Sequence, residues 1–260
     1  MRPEVSVLQD VLGVYDHRYL QLDEDRRRRL MAATSHVIGD GLPEEDRDAL
    51  PAAYRLRAFC IQRGLHEELE RLIRDETEGR MEGAVVVGGR VYAMYPYLRG
   101  VPRHDADITD EVRVVHRLDA VAWTGGRLRV RGHAAIARVV SRDVRVELVL
   151  RGSARDHRVA TTPCGDGFEG FVDGTDLDPG HWDAHVAVRT LGLTREAPFG
   201  AVRTPGLTTE ARGHAGLTVF FTPEGSLAIF APSAPGPSDG AGAGAEGAKK
   251  ARRGWRRAFP

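Results

Sequence analysis

Arg127-Leu128-Arg129-Val130-Arg131-Gly132-His133-Ala134-Ala135-Ile136 alternates between two kinds of residue. Leu128, Val130, Gly132, Ala134 and Ile136 fall on one side, and Arg127, Arg129, Arg131, His133 and Ala135 on the other. A β-strand turns successive side chains to opposite faces, so this stretch predicts a strand with one buried and one wet face. The pattern returns twice. Val144, Val146, Leu148 and Leu150 alternate with Arg145, Glu147, Val149 and Arg151, and Trp182, Ala184, Val186 and Val188 with His181, Asp183, His185, Ala187 and Arg189. Turn signals punctuate the region at Gly125-Gly126, Gly152-Ser153, Asp173-Gly174, Pro179-Gly180 and Pro223-Glu224-Gly225. Many short strands with polar turns predict an antiparallel, immunoglobulin-like β-sandwich within 80–231. Its centre is expected at about 117–204, with hairpins at 83–97 and 214–230 packed beside it.

Upstream, the period changes from 2 to 3.6, and residues 1–79 read as a helical domain. Leu30, Ala33, Thr34, Val37 and Ile38 share one helix face; Asp23 or Asp25 suits its cap, and Gly39 its end. Pro51 suits a first helical position ahead of Ala52-Ala53-Tyr54, and Gly64 a stop. Leu65, Leu69, Leu72 and Ile73 line the next helix. The fold class is therefore α+β by segregation, with helices first and strands after. Residues 232–260 form a third part. Pro, Gly, Ala and Ser dominate 232–248, too little apolar surface to fold, so disorder is expected there.

Charge narrows the function. Lys+Arg 37 balance Asp+Glu 37, so the body of the chain is not built for nucleic acid, and no nucleic-acid partner is expected. The basic residues do gather at the C-terminus, in Lys249, Lys250, Arg252, Arg253, Arg256 and Arg257, with Trp255 among them. Such a cluster suits peripheral contact with an anionic membrane, at ~1 kcal/mol per charge, and less well a weak contact with nucleic acid; the bland alternative is a plain solubilising tail. No apolar run is long enough for a membrane span, and Met1-Arg2-Pro3-Glu4 does not open a secretory signal. Two cysteines, Cys60 and Cys164, do not make a disulfide scaffold. A cytoplasmic location, peripheral at the inner face of the membrane, is the expectation.

Candidate chemical motifs all lack their context. Gly165 to Gly170 spells G-x-G-x-x-G, but a strand rather than a helix is predicted after it, so it reads as a loop between strands. Asp105-Ala106-Asp107 is a D-x-D able to offer hard oxygen ligands to a divalent cation. It follows no apolar strand, and a solvated turn is expected. His104-Asp105 resembles a helical metal pair, but Pro102 argues against a helix. His181 and His185 lie ~13 Å apart along a strand, too far for one metal. Cys60, between Phe59 and Ile61, reads as a buried, inert thiol. No catalytic residue, metal or cofactor is assigned.

Three stretches carry a resemblance: Gly89-Arg90-Val91-Tyr92-Ala93-Met94-Tyr95-Pro96-Tyr97, Leu118-Asp119-Ala120-Val121-Ala122-Trp123, and Asp178-Pro179-Gly180-His181-Trp182-Asp183. Together with the preceding helices they resemble the C-terminal accessory region of bacterial family 2 glycosyltransferases. They are similar to the poly(ribitol-phosphate) N-acetylglucosaminyltransferases of wall teichoic acid. That resemblance implies a helical linker and a β-sandwich lying downstream of a catalytic α/β domain. This sequence shows no βαβ alternation and no strand-ending D-x-D, so no catalytic residue carries over. The resemblance implies a non-catalytic module for self-association or for binding an anionic cell-wall glycopolymer. Arg127, Arg129 and Arg131 are the candidate contacts, unless Glu147 of a neighbouring strand pairs with one of them. The alternatives are a subunit serving a separately encoded catalytic transferase domain, and a metal-dependent hydrolase built on His104, Asp105 and Asp107.

Overall fold

The computed structural model describes residues 3–39, 41–80, 83–207 and 216–233. Five helices come first: α1 (Pro3–Gly13), α2 (Glu24–Ile38), α3 (Glu44–Ala49), α4 (Ala52–Gln62) and α5 (His66–Thr77). Asp23 caps α2, its carboxylate accepting the Arg26 backbone N–H, and Gly39 ends the helix at φ 62°. The buried side of α2 is Met31, Thr34 and Ile38, while Val37 stands 59% exposed. The apolar stripe is thus rotated from the one the spacing suggested, taking in Met31 and leaving Ala33 and Val37 exposed. Pro51 sits one place ahead of α4, as its N-cap. Leu56, Ala58, Phe59, Cys60 and Ile61 are all buried, which makes α4 the central helix against which α1, α2 and α5 pack. Leu69, Leu72 and Ile73 bury the inner face of α5.

A small hairpin follows, β1 (Ala84–Val87) with β2 (Arg90–Ala93), and then a one-turn helix, α6 (Arg103–Ala106). Pro102 precedes α6 as its N-cap rather than preventing it. A proline is tolerated there because the first N–H groups of a helix have no intrahelical partner. His104-Asp105 therefore lies on a helical turn, against the sequence expectation.

The strands β3 (Val114–Thr124), β4 (Arg127–Ile136), β5 (Arg145–Arg151), β6 (Asp156–Cys164), β7 (Gly167–Val172), β8 (Gly180–Thr190), β9 (Leu193–Pro198), β10 (Thr218–Phe221) and β11 (Leu227–Ala231) form one antiparallel sheet. The hydrogen-bonded order is β10-β11-β8-β5-β6-β7-β4-β3, with β9 also on β8. The two layers of the sandwich are joined at β6. Its first half, to Ala160, pairs with β5, and its second half, from Thr161, pairs with β7. The sheet curls round that corner and encloses a core of Leu118, Leu128, Val130, Leu148, Leu150, Phe168, Trp182, Val186 and Phe199. Beyond β9 the chain crosses to β3: Leu118 N–H donates to Val202 O, and Thr204 N–H to Leu118 O, each at 2.9 Å.

A separate cluster of Ala52, Val91, Ile108, Val112, Ile136, Val188 and Leu193 seats the helices and the hairpin on the sandwich.

Candidate functional site

The outer face of β3, β4 and β7 gathers the basic stripe. Beside β4 on one flank, Ala122 stands opposite Arg129 and Ala120 opposite Arg131. On the other flank, Phe171 stands opposite Arg129 and Glu169 opposite Arg131. The Arg127 guanidinium lies over the Phe171 ring, 4.8 Å from its centroid. Arg129 and Arg131 approach the same Glu169 oxygen at 3.5 and 4.0 Å. Three guanidiniums thus line one side of β4, above small alanines, with a single carboxylate shared between two of them. Glu147 is not their partner. It lies on β5, which is not a neighbour of β4, and engages Arg158 at 3.1 Å and Arg189 at 3.6 Å.

At the far end of the stripe, β3 carries a bulge. Its register against β4 slips between Leu118 and Ala120, leaving Asp119 as the extra residue. The bulge aims the Asp119 carboxylate at His133, with Oδ2 at 2.5 Å from Nδ1. Arg117 Nε donates to Asp119 Oδ1 at 2.6 Å, and Thr204 Oγ1 donates to the same oxygen at 3.1 Å. On the other side of the imidazole, Asp166 Oδ1 lies 2.7 Å from Nε2. Partial burial alone would raise the Asp119 carboxyl, but hydrogen bonds from Arg117 and Thr204 and the nearby His133 hold it below the usual carboxylate range. Asp166 is lowered by its contact with His133. Asp119, Asp166 and Thr204 were invisible as a group in the sequence, since a bulge and a sheet-crossing loop bring them together. The only prior signal was the Gly165-Asp166-Gly167 turn.

The D-x-D is not a solvated turn. Asp105 is buried, facing Arg47 at 3.5 Å and His104 at 3.4 Å, and burial raises its carboxyl against the opposing pull of His104, Arg47 and Arg55. Asp107 accepts from the Thr109 backbone N–H at 2.9 Å and from Arg90 at 2.8 Å. For Asp107, burial is outweighed by these donors, so its carboxyl is lowered. Asp105 ties α6 to Arg47 of α3, and Asp107 ties the segment after α6 to Arg90 of β2. Among the described residues, no group of three His, Cys, Asp or Glu is placed to hold a metal.

The remaining candidates fall on strands and turns. Gly165-Asp166 turns the chain between β6 and β7. His181 is exposed and meets Asp183 at 2.8 Å, while His185 is lowered mainly by burial. Cys60 is fully buried, and burial pushes its thiol up to about 12. Lys249, Lys250, Arg252, Arg253, Trp255, Arg256 and Arg257 lie outside the described residues. No helix among the described residues is long and apolar enough to cross a membrane.

Residues 7–73 match the family model for the glycosyl transferase TarS linker domain. No curated protein sequence matches the chain. Among solved structures, the crystal structure of S. aureus TarS 217-571 aligns with a TM-score of 0.54 at 12% identity, over 84% of this chain and 64% of that one. A second S. aureus TarS structure aligns at 0.46 and 13% identity, over 84% and 41%. This chain therefore spans less than two thirds of the length of either. The first likeness is one of fold, and it includes helices followed by a curled antiparallel sheet. With its helical segment matched to the TarS linker domain and its fold to TarS 217-571, the chain is similar to a TarS-type accessory region, with no nucleotide-sugar-binding α/β unit among the described residues.

Proposed function

We propose that this chain is a non-catalytic accessory module of a glycosyltransferase-like protein, and that it holds an anionic cell-wall glycopolymer against the outer face of β4. One observation carries the reading: Arg127, Arg129 and Arg131 stand in a row, with Glu169 shared between the last two of them and Arg127 resting on the Phe171 ring. Alternate residues on a strand lie ~6.6 Å apart, so the row offers successive guanidiniums to an extended, phosphate-bearing chain. The Arg129–Glu169 pair is loose, at 3.5 Å and with no hydrogen bond to the Arg129 Nε, so a phosphate can compete with Glu169 for it. The test is titration of the protein with purified wall teichoic acid at rising salt. Binding that weakens with salt, and that is lost in an Arg127→Ala/Arg131→Ala variant, supports the reading. Turnover of a nucleotide sugar by the pure chain would defeat the non-catalytic part.

Self-association is a second reading, favoured by the hairpin. Val85, Val87 and Met94 stand 41%, 49% and 49% exposed on or just past the β1–β2 hairpin, where β1 is an edge strand, its open side held only at Ala84, by Arg138 O. An apolar strand edge invites pairing with another chain. Light scattering across a dilution series tests it. Attraction of the basic C-terminal segment to a membrane, at the inner cytoplasmic face, is tested by co-sedimentation with anionic vesicles.

A further inference from the structure

The helical part carries a cleft well away from the β4 row. It opens where the ends of α2 and α4 meet α3 and α6, and holds about 470 Å³. Its walls include His36, Arg47, Phe59, Arg63, His104 and Asp105. That volume is in the range of small-molecule sites. Each basic group comes from a different helix: His36 from α2, Arg47 from α3, Arg63 as the C-cap residue of α4, and His104 from α6.

Against these four stands Asp105, the one carboxylate among the described lining residues. Arg47 Nε and His104 Nε2 approach the same Asp105 oxygen at 3.5 and 3.4 Å. Both contacts are long beside the ~2.7–2.9 Å of a charge-assisted hydrogen bond. Arg63 rests on the Phe59 ring, 5.8 Å from its centroid, and pairs with no carboxylate among the described residues. Burial raises the Asp105 carboxyl, so the single acid holds its charge less firmly than an ordinary carboxylate. Basic side chains are favoured near the C-terminal end of a helix, which by itself accounts for His36 and Arg63. It does not account for Arg47, whose guanidinium donates to Leu42 O, ahead of its own helix, at 2.8 Å. The carbonyls at the two long helix ends are also taken. Ser35 O accepts the Gly39 N–H, Phe59 O the Arg63 N–H, and Gly39 O the Gln62 side chain. What the cleft leaves over is donors.

We propose that this cleft binds a phosphate group, as the free ion or at the end of a small phosphomonoester, with Arg47, Arg63 and His104 as its donors. Guanidiniums present paired N–H groups that match phosphate oxygens, and an imidazole N–H adds a third direction. The bound ion takes up the charge of Arg47 and His104 that Asp105 meets only at long range. Phe59 and Pro102 supply an apolar wall for the carbons of an ester. The site shares no residue with Arg127, Arg129 and Arg131, and stands whether or not that row holds a polymer.

The experiment is isothermal titration of the full chain at constant ionic strength, with inorganic phosphate in one arm and glycerol 3-phosphate in the other. Saturable one-to-one binding is expected. Tighter binding of glycerol 3-phosphate assigns the cleft to phosphomonoesters, and tighter or equal binding of inorganic phosphate assigns it to the free ion. Arg63→Gln and His104→Gln, both at exposed positions, each weaken binding by about tenfold, the effect of losing one hydrogen bond to a charged group. Asp105→Asn tightens it severalfold by removing the competing carboxylate. Arg127→Ala/Arg131→Ala leaves it unchanged. The proposal is overturned if neither ligand gives saturable binding, or if Arg63→Gln and His104→Gln bind as the parent does. It is equally overturned if binding is lost in Arg127→Ala/Arg131→Ala, since the ion would then sit on β4. Thermal unfolding of each variant without ligand separates a lost contact from a lost fold.

Discussion

The guanidinium of Arg55, on α4, donates to the backbone carbonyl of Asp107, on the segment that leads into the sheet. The same side chain donates to Leu50 O at 2.6 Å and to Asp105 O at 3.4 Å, and lies 3.6 Å from Glu111. Arg55 is only 7% exposed. A guanidinium carries five donors and no acceptor, so such burial is tolerable only where carbonyls and carboxylates meet them. Arg55→Met leaves these carbonyls without their donor. The expected loss is about 2–4 kcal/mol of unfolding free energy. Since the acceptors lie both ahead of α4 and on the segment that leads into β3, the helical signal in far-UV circular dichroism and the fluorescence of Trp123 and Trp182 should shift together to lower urea. A shift in the helical signal alone would show that Arg55 serves only the helices.

Asp105 and Asp107 respond to pH in opposite directions. The raised carboxyl of Asp105 binds its proton more tightly in the folded chain than in the unfolded one. Its contribution thus favours folding at low pH and turns unfavourable as pH climbs from the unfolded value, near 4, through the folded one. The lowered carboxyl of Asp107 stabilises above that unfolded value, and this is lost as pH falls below it. Asp105→Asn is therefore expected to gain stability relative to the parent between pH 4 and pH 7. Thermal unfolding at both pH values checks this, and a variant that loses ground as pH rises contradicts it.

Much of the strand architecture was legible because alternation reports burial directly: Leu128, Val130 and Ile136 are buried where period 2 puts them. It fails where charged side chains roof an outward apolar residue. Val149 belongs to the wet face of β5 yet is fully buried, between the cross-strand positions of Arg158 and His185. Arg158 and Arg151 close over that face by meeting Glu196 at 2.9 and 2.6 Å. The Arg127, Arg129 and Arg131 row was legible for the same reason of period. Its neighbours were not, because strand order is a long-range property: β4 lies between β3 and β7, so Glu169 rather than Glu147 faces the row. The burial of Asp105 was hidden too, since a D-x-D after Pro102 looks like a loop until α4 is packed over it.

The arginine row should be separable from general electrostatics. Arg127 crosses from β4 to β7 only by resting on the Phe171 ring, so Arg127→Ala removes a contact point while leaving the ladder hydrogen bonds in place. Arg142 serves as a control: it lies in the loop between β4 and β5, outside the row. Arg127→Ala is expected to weaken binding of wall teichoic acid and to reduce its salt dependence, whereas Arg142→Ala changes little. Equal losses from both variants would mean that the polymer senses only net charge.

Close approach of strands imposes a last requirement on the β3–β4–β7 layer. At Gly132 a Cβ would lie 2.4 Å from Arg117 O and 2.7 Å from the Phe199 ring. The ring can turn aside, but the carbonyl belongs to β3, to which Gly132 is held by the Leu118 pairing. At Gly167 the obstruction is again backbone, at Gly132 O. Relief at either position needs β4 to move away from a neighbour, which breaks ladder hydrogen bonds and opens the core beneath Phe168 and Phe199. Gly132→Ala and Gly167→Ala are each expected to destabilise the sheet by about 2–4 kcal/mol, in the upper range for overpacking. The loss should appear in tryptophan fluorescence on urea unfolding. Gly165→Ala provides the contrast: nothing lies within 4 Å of its Cβ, and only its φ of 63° opposes the change. A cost of about 1 kcal/mol is expected there. If Gly165→Ala proved as damaging as Gly167→Ala, backbone conformation rather than strand contact would be what demands glycine on this face.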